Sequence, residues 1–277
     1  MRSIHYLAVV TAAVAFAATP AAAVTYPAIQ STIKYTKIST TKAQGMGNYA
    51  RATSSVQYDP ATNSYTLRDT GSLSLTSTFG PSNSPVVSGA FTTYSKNGGA
   101  ETLRLYRSGQ PTQGVTLTHT GFGQWRRTAP ATLVTGTNVN DTYFVYGTKT
   151  APSQIATGTA SYATAADGTF VNKTGVYAVT GSGTFNADFG ARTVNYSSTL
   201  AGSREGDSSP LAFGTLTGSG SIATASSSFK GAGLTNGSGY KMDASGYFFG
   251  PSAIEVGGVF RLSGNGGNGQ GALVGHQ

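Results

Sequence analysis

The sequence contains no cysteine, so disulfide bonds cannot stabilise it and its hydrophobic cores must hold the fold alone. Charged residues are also scarce, at 10% of the 277 residues. No segment after residue 23 combines a sustained helical period with helix caps, which argues against a mainly helical fold. A chain of this length can still bury enough apolar surface for one or two domains.

Acid–base side chains are few, and this scarcity argues against an enzyme. The chain has ten carboxylates and three histidines, of which one, His5, lies in the N-terminal segment. It contains no G-x-S-x-G nucleophile elbow and no spacing that suggests a catalytic triad. Residues 263–271 match G-x-G-x-x-G, but no helix can follow them, so we interpret this run as a flexible hairpin loop. We therefore expect a protein that is not an enzyme.

The first 23 residues have the pattern of a secretory signal peptide, with a basic start, an apolar run and an A-x-A site before Val24. The apolar run is too short to span a bilayer, and no cysteine follows it that could be lipidated. We expect an exported chain that does not span the membrane, at the outer-membrane surface or in the medium. The periplasm is a further possibility.

The formal net charge is +8, but the basic residues are scattered and only Arg126 and Arg127 are adjacent. A nucleic-acid interface requires a clustered basic stripe with interleaved aromatic residues. We expect no nucleic-acid partner and interpret the charge as favouring solubility and attraction to anionic surfaces or ligands.

Alternation of apolar and polar residues is the dominant pattern, and it predicts half-buried strands. From about residue 155 it recurs at even spacing, which predicts a closed eight-stranded antiparallel barrel or a sandwich. An outer-membrane barrel fits less well, because both strand faces are often Thr, Ser or Gly. Residues 31–41 could be a strand or an irregular segment. The eight segments are SYATAA, GVYAVTG, GTFNADFG, TVNYSSTL, AFGTLTGSGSI, SSFKGAGL, GYFFG and EVGGVFRL; the alternating apolar sets include Leu73, Leu75 and Phe79; Phe185, Ala187 and Phe189; and Val194, Tyr196 and Leu200.

A boundary near residue 150 is indicated by composition. Of the 38 glycines, 25 follow residue 150, and the segment GTKTAPSQ at 147–154 is polar and contains proline. Such a segment is typical of a linker between two regions.

The run GYFFGPSAIEVGGVF at 246–260 resembles the hallmark of the transferrin-binding protein B barrel. GTFNADFGARTVNYSSTLAG at 183–202, SSSFKGAG and the final GALVGHQ are similar to further segments of that family, so the resemblance covers about residues 150–277. SVQYDPATNSYTLRD, TLRLYRSG and LTHTGFGQWRR resemble the N-terminal region of transferrin-binding-protein-like solute-binding proteins. The matching residues of the hallmark are Phe248, Phe249, Gly250, Pro251, Ala253, Glu255, Gly257 and Gly258.

The resemblance implies an all-β chain of one lobe, with a signal peptide at 1–23, a strand-rich handle-like domain at 24–150 and an eight-stranded antiparallel β-barrel at 151–277. It also implies binding without catalysis, in iron, haem or host-protein acquisition. Members that capture transferrin have two lobes and a lipid anchor, and this chain departs from both features. Unlipidated single-lobe relatives include secreted haem carriers, whose barrel is recognised by an outer-membrane exporter, so an exporter or receptor is a possible partner.

The hallmark run itself predicts a structural role. Pro251 fixes its own φ and biases Gly250 to extended geometry, so the chain should turn sharply after the two phenylalanines. The pair Gly257–Gly258 permits a bend or a close approach. Glu255 should bond backbone N–H groups of the turn or a nearby arginine, because a buried carboxylate needs partners.

Candidate ligand-binding residues lie in the N-terminal region. His119 stands near Phe122, Trp125, Tyr106 and Tyr146 in this region, and a histidine with aromatic neighbours can ligate and enclose a haem. We name His119 first, with Tyr106 and Trp125 as pocket wall. Arg126, Arg127, Arg104 and Arg107 are candidate partners for a ligand carboxylate or phosphate, and a solvated strand face is the alternative. The alternative is a surface histidine beside a core tryptophan, in a structural or adhesive surface protein whose barrel serves only folding and export.

Overall fold

The computed structural model describes residues 22–70, 74–155 and 157–277. Within these ranges the chain is all-β, and its helices are four single 3-10 turns: Pro81–Asn83, Asn97–Gly99, Pro152–Gln154 and Pro251–Ala253. None of the helices in the described ranges has the length and apolarity needed to cross a membrane. Most of the predicted signal peptide, residues 1–21, and Leu73 lie outside the described residues.

A nine-stranded antiparallel sheet forms the N-terminal half, in the order β4-β3-β2-β1-β11-β10-β7-β6-β5. Residues 31–39, left open between strand and irregular chain, belong to its long first strand. The sheet curls until β4 at one edge reaches β7, where the Ser77 hydroxyl donates to Glu101 at 2.6 Å. The strands are β1 (Val24–Ser39), β2 (Lys42–Asp59), β3 (Ser64–Asp69), β4 (Leu75–Phe79), β5 (Val86–Ser88), β6 (Phe91–Lys96), β7 (Glu101–Tyr106), β10 (Thr120–Pro130) and β11 (Thr137–Gly147); β8 (Pro111–Thr112) and β9 (Val115–Thr116) form a separate small ribbon.

The C-terminal half is a closed eight-stranded antiparallel barrel, which confirms the predicted fold class. Each strand pairs with its neighbour in sequence, and β19 closes the barrel on β12. The connection from β11 to β12 spans residues 148–158, and the predicted boundary at 150 lies inside it. The strands are β12 (Thr159–Asn172), β13 (Gly175–Asp188), β14 (Thr193–Arg204), β15 (Pro210–Ile222), β16 (Ser228–Thr235), β17 (Tyr240–Phe249), β18 (Glu255–Gly264) and β19 (Gly267–His276).

Two details of the sequence-based strand prediction are wrong. GVYAVTG and GTFNADFG are one strand, β13, because the intervening glycines pair in register with β14 instead of forming a turn. Residues 263–271 are not a flexible loop, since only Asn265 and Gly266 lie between β18 and β19. The rest of this glycine-rich run is ladder-paired strand, and it supplies the eighth strand of the barrel.

Aromatic side chains fill the barrel interior. Phe185 packs nearly perpendicular to Tyr196, Phe229 and Phe248, with ring centroids 4.7, 4.9 and 6.0 Å away. Edge-to-face packing is a favoured geometry for such rings. Complete burial of one phenylalanine contributes about 1.5–3 kcal/mol relative to exposure. This cluster therefore stabilises the barrel of a chain that has no disulfide bonds.

The two faces of the curled sheet have different roles. Its outer face packs on the barrel through a shared apolar cluster that includes Tyr106, Phe122 and Val145 from the sheet and Phe249 and Val259 from the barrel. Its concave inner face has a core of its own, with Ala28, Val56, Leu67, Phe79, Tyr94, Leu103, Leu105, Trp125 and Phe144.

Charged groups also join the sheet to the barrel. Asp141 of β11 accepts hydrogen bonds from Arg126 Nε at 2.7 Å and from the Thr169 hydroxyl of the barrel at 3.2 Å. Arg126 Nη2 also donates to Glu205, which follows β14, at 2.8 Å. Burial lowers the pKa of Arg126, but the Asp141 carboxylate outweighs it, so the pKa is raised and the guanidinium stays charged.

Candidate ligand-binding site

A pocket of about 460 Å³ opens on the concave face of the sheet, where β10 begins and β11 ends. This volume lies within the range of small-molecule sites in proteins. Its wall is rich in tyrosine and hydroxyl groups. The described lining residues are Tyr26, Tyr58, Tyr65, Thr92, Tyr94, Leu105, Tyr106, Arg107, Ser108, Thr118, His119, Thr120, Gly121, Tyr146, Gly147 and Thr148.

Strand register brings the tyrosines together. Tyr58 of β2 lies directly opposite Tyr65 of β3, and their ring centroids are 4.9 Å apart. Tyr65 in turn lies 6.1 Å from Tyr94, which comes from β6 at the far side of the curled sheet. Tyr26 and Tyr146, on β1 and β11, form a second pair at 5.7 Å. Strand curvature therefore converts residues distant in sequence into one aromatic wall.

Four of these tyrosine hydroxyls are available to a ligand. Within the described part of the chain, the hydroxyls of Tyr26, Tyr65, Tyr94 and Tyr146 have no hydrogen-bond partner, whereas that of Tyr58 donates to Asn63. Polar groups in a native protein usually find partners, and groups that lack one beside a pocket can donate to bound molecules.

The hydroxyls of Tyr65, Tyr94 and Tyr146 remain protonated at neutral pH, because their pKa values are raised. Burial, followed by the neighbouring Tyr94, Tyr58 and Tyr26, raises the pKa of Tyr65 to about 12. Burial likewise raises the pKa of Tyr94 and of Tyr146. These groups can therefore donate hydrogen bonds and do not supply tyrosinate anions to the pocket.

His119 lies directly before β10, and its side chain is exposed at the pocket. Its backbone N–H donates to both carboxylate oxygens of Glu255, at 3.2 and 3.1 Å. Among the described residues no side-chain or backbone group hydrogen-bonds its imidazole nitrogens. The ring is therefore free to coordinate a metal centre or to bond a ligand.

Arg107 adds a positive charge to the rim. Its guanidinium donates to the Gly89 carbonyl at 3.3 Å and forms no salt bridge with a described carboxylate. A guanidinium in this state can take up a ligand carboxylate through paired hydrogen bonds.

Of the residues named from sequence, the structure brings His119, Tyr106 and Arg107 to the pocket and keeps Trp125 and Arg126 away from it. Trp125 is buried in the concave core, and its Nε1 donates to Glu101 at 2.8 Å. Arg126 points to the opposite face of the sheet, where Asp141 and Glu205 neutralise it. Adjacent side chains on a strand point to opposite faces of the sheet, so Trp125 and Arg126 cannot both lie on the concave face.

Tyr106 supports the pocket by holding its loop. Its hydroxyl donates to the Gln110 carbonyl at 2.5 Å and accepts from the Leu117 N–H at 2.9 Å. Its ring stacks on Phe122 with centroids 5.1 Å apart. The side chain therefore fixes the segment that leads to His119.

Sequence reasoning did not name Tyr26, Tyr58, Tyr65 or Tyr94, and it listed Tyr146 only as an aromatic neighbour of His119. The sequence signal for these tyrosines is weak, because each lies in a strand with alternating apolar residues. In such a strand a tyrosine is as compatible with a core face as with a ligand-binding site. Only the register of five strands identifies their common face.

The hallmark run 246–260 is the part of the barrel that contacts the end of the sheet near His119. Glu255 is fully buried and accepts backbone N–H bonds as predicted, but the donors are Thr118 at 2.6 Å and His119, in the N-terminal half of the chain. The predicted donors, N–H groups of the turn or a nearby arginine, are therefore wrong. At Gly257 a Cβ would lie 2.8 Å from Val145 and 2.9 Å from Thr120, so glycine permits the sheet to approach.

The other hallmark residues serve the barrel and its junction. Phe248 lies in the barrel core, whereas Phe249 lies in the cluster between the sheet and the barrel. Pro251 begins the 3-10 turn that follows, as expected for a sharp change of direction. The extended geometry expected for Gly250 is wrong: its φ is +72°, a value open to glycine because it has no Cβ. At Gly258 a Cβ would lie 2.3 Å from the Ser245 carbonyl oxygen of the adjacent strand.

Comparison with known proteins gives matches at the level of fold. No protein-family model matches the sequence, and no curated protein matches it. Transferrin binding protein B of Haemophilus parasuis matches over 93% of this chain and 76% of that chain, at 14% identity and a TM-score of 0.46. HpuA from Kingella denitrificans, solved with human haemoglobin, matches over 95% of this chain and 90% of that chain, at 16% identity and a TM-score of 0.41. A transferrin binding protein B of Actinobacillus pleuropneumoniae matches over 91% of this chain and 100% of that chain, at 12% identity and a TM-score of 0.42. Transferrin-binding protein B is also the family that residues 246–260 resemble.

Proposed function

We propose that this chain is an exported, non-enzymatic binding protein that captures its ligand in the tyrosine-lined pocket, at the cell surface or in the medium. The proposal covers acquisition of haem or of a host protein that carries iron. One observation carries it: four tyrosine hydroxyls and the His119 imidazole, without hydrogen-bond partners among the described residues, line one open pocket. The proposal also includes an outer-membrane exporter or receptor that recognises the barrel.

Haem is the first small molecule to test, because the pocket offers each kind of contact that haem requires. His119 would supply the axial nitrogen, and histidine is a common proximal ligand of haem iron. Arg107 would pair with a propionate, and the tyrosine rings would pack against the macrocycle. The neutral tyrosines would donate hydrogen bonds at the edge of the pocket.

Titration of the purified chain with hemin tests this form of the proposal. We expect a Soret shift that saturates at one equivalent, and His119→Ala should weaken binding at least tenfold. His276→Ala is the matched control, since His276 lies outside this pocket and its Nδ1 is 2.7 Å from the Gln277 carbonyl oxygen. An unchanged hemin affinity in His119→Ala would contradict a haem ligated by this residue.

A protein ligand is tested with the immobilised chain and two baits, haemoglobin and transferrin. Retention of either bait that falls in Tyr65→Phe and Arg107→Gln would place protein capture at the pocket. If the chain retains neither bait and hemin gives no shift, the proposal fails and the alternative of a structural or adhesive surface protein stands.

A further inference from the structure

Three contacts hold His119 although its side chain is exposed. Two of them come from the barrel run 246–260, and the third comes from the end of β11. An exposed histidine on a connecting segment would ordinarily sample several rotamers and lose that freedom on binding. The contacts at this residue remove much of that freedom in advance.

The first contact fixes the backbone. The Glu255 carboxylate is fully buried, forms no salt bridge with a described residue, and accepts from Thr118 N–H, Thr118 Oγ1–H and His119 N–H at 2.6, 3.1 and 3.2 Å. Hydrogen bonds to a carboxylate are roughly twice as strong as neutral ones. Because Glu255 is on β18, the barrel sets the position of the segment that bears His119.

The second contact orients the ring. A Cβ at Gly250 would lie 2.7 Å from His119 Cδ2 and 2.8 Å from Cγ, so the imidazole packs directly over the glycine Cα. Gly250 also has φ +72°, a conformation that side-chain-bearing residues rarely adopt. The third contact is with the backbone of His119: a Cβ at Gly147 would lie 2.2 Å from the His119 carbonyl oxygen, so only glycine permits this close approach.

We propose that Glu255 and Gly250 are positioning residues that pre-organise the His119 imidazole as the ligand-binding group of the pocket. The inference rests on the proposed function, because it assumes that the pocket takes up a ligand. It gives the barrel run 246–260 a role in binding without direct contact. Supporting groups of this kind raise affinity because less freedom is lost when the ligand arrives.

The decisive comparison is between Gly250→Ala and Gly266→Ala. Both glycines have nearly equal φ, +72° and +71°, but a Cβ at Gly266 meets nothing within 4 Å. Gly250→Ala should lose more stability than Gly266→Ala, because Gly250 also has ψ −179°, a combination that essentially only glycine adopts. The two variants are therefore compared at a temperature at which both remain folded. Only Gly250→Ala should move the His119 imidazole resonances in a ¹H–¹³C NMR spectrum and weaken hemin binding about tenfold or more. Gly250→Ala with unchanged His119 resonances and affinity would overturn the inference.

Glu255→Gln provides a second test that is independent of backbone strain. The amide replaces one acceptor oxygen with an NH₂ group facing the same donors, so amide hydrogen exchange at Thr118 and His119 should accelerate and the His119 resonances should broaden. Unchanged exchange and unchanged line widths would count against the role of Glu255. If the wild-type chain binds no hemin, the haem proposal fails, while the NMR comparisons still decide whether these residues position His119.

Discussion

Arg126 and Asp141 form a bidentate ion pair between neighbouring strands of the sheet, with Nε–Oδ1 and Nη2–Oδ2 distances of 2.7 and 2.8 Å. The Asp141 side chain is completely buried, and Thr169 of the barrel donates to the same carboxylate. The pair therefore belongs to the junction between the two halves of the chain and fixes how the sheet is placed on the barrel.

Asp141→Asn should destabilise the protein strongly, because it leaves the Arg126 charge with a single carboxylate partner, Glu205. Breaking one side of a buried ion pair costs about 3–5 kcal/mol. Urea unfolding at neutral pH measures this loss. Asp207→Asn, which removes the partner of Arg204 in an exposed pair, is the control and should cost clearly less. Equal losses in the two variants would contradict a special role of the buried pair.

Phe185→Ala should cost about 3–5 kcal/mol, because it opens a cavity at the centre of the aromatic cluster. The measurement is again equilibrium unfolding. Leu133→Ala, at a side chain that is 95% exposed, should change stability by no more than about 0.5 kcal/mol. A small effect at Phe185 would mean that the barrel interior is not a close-packed core.

Gly257→Ala should loosen the docking of the sheet on the barrel, because the added methyl group would meet Val145 and Thr120 at under 3 Å. Gly237→Ala is the matched control, since its Cβ would meet nothing within 4 Å. Limited proteolysis in the connection at residues 148–158 reports the docking. Faster cleavage is expected in Gly257→Ala alone, and equal rates in both variants would contradict the close approach.

Alkaline pH should destabilise the fold through Tyr65. The folded pKa is raised to about 12, above the model-compound value of 10, because burial disfavours the tyrosinate. The unfolded chain therefore loses this proton first, and the contribution to stability, complete below about pH 10, is lost as the pH rises through about 12. Tyr65→Phe should reduce the loss in unfolding measurements between pH 9 and about 12. An identical pH dependence in wild type and variant would contradict it.

Much of the fold followed from local patterns. Alternation identified Phe185, Ala187 and Phe189 as one buried face, and all three lie in the barrel core. The same method divided β13 into two strands, although its residues pair continuously with β14. For the pocket, sequence reasoning named His119 and Tyr106, which both line it, and Trp125, which lies in the concave core instead.

The sequence by itself determined the all-β composition and the turn at Pro251, because side-chain alternation and proline geometry act over a few residues. Alternation left a closed barrel or a sandwich open, since closure depends on the pairing of β19 with β12. It also determined the scarcity of acid–base groups. Only the tertiary structure decided that tyrosines from β1, β2, β3, β6 and β11 share one pocket, and that the Glu255 carboxylate lies against His119. The contact between Glu255 and His119 joins residues 136 positions apart, and the tyrosines come from five different strands. Both arrangements depend on strand register and sheet curvature, which no local pattern specifies.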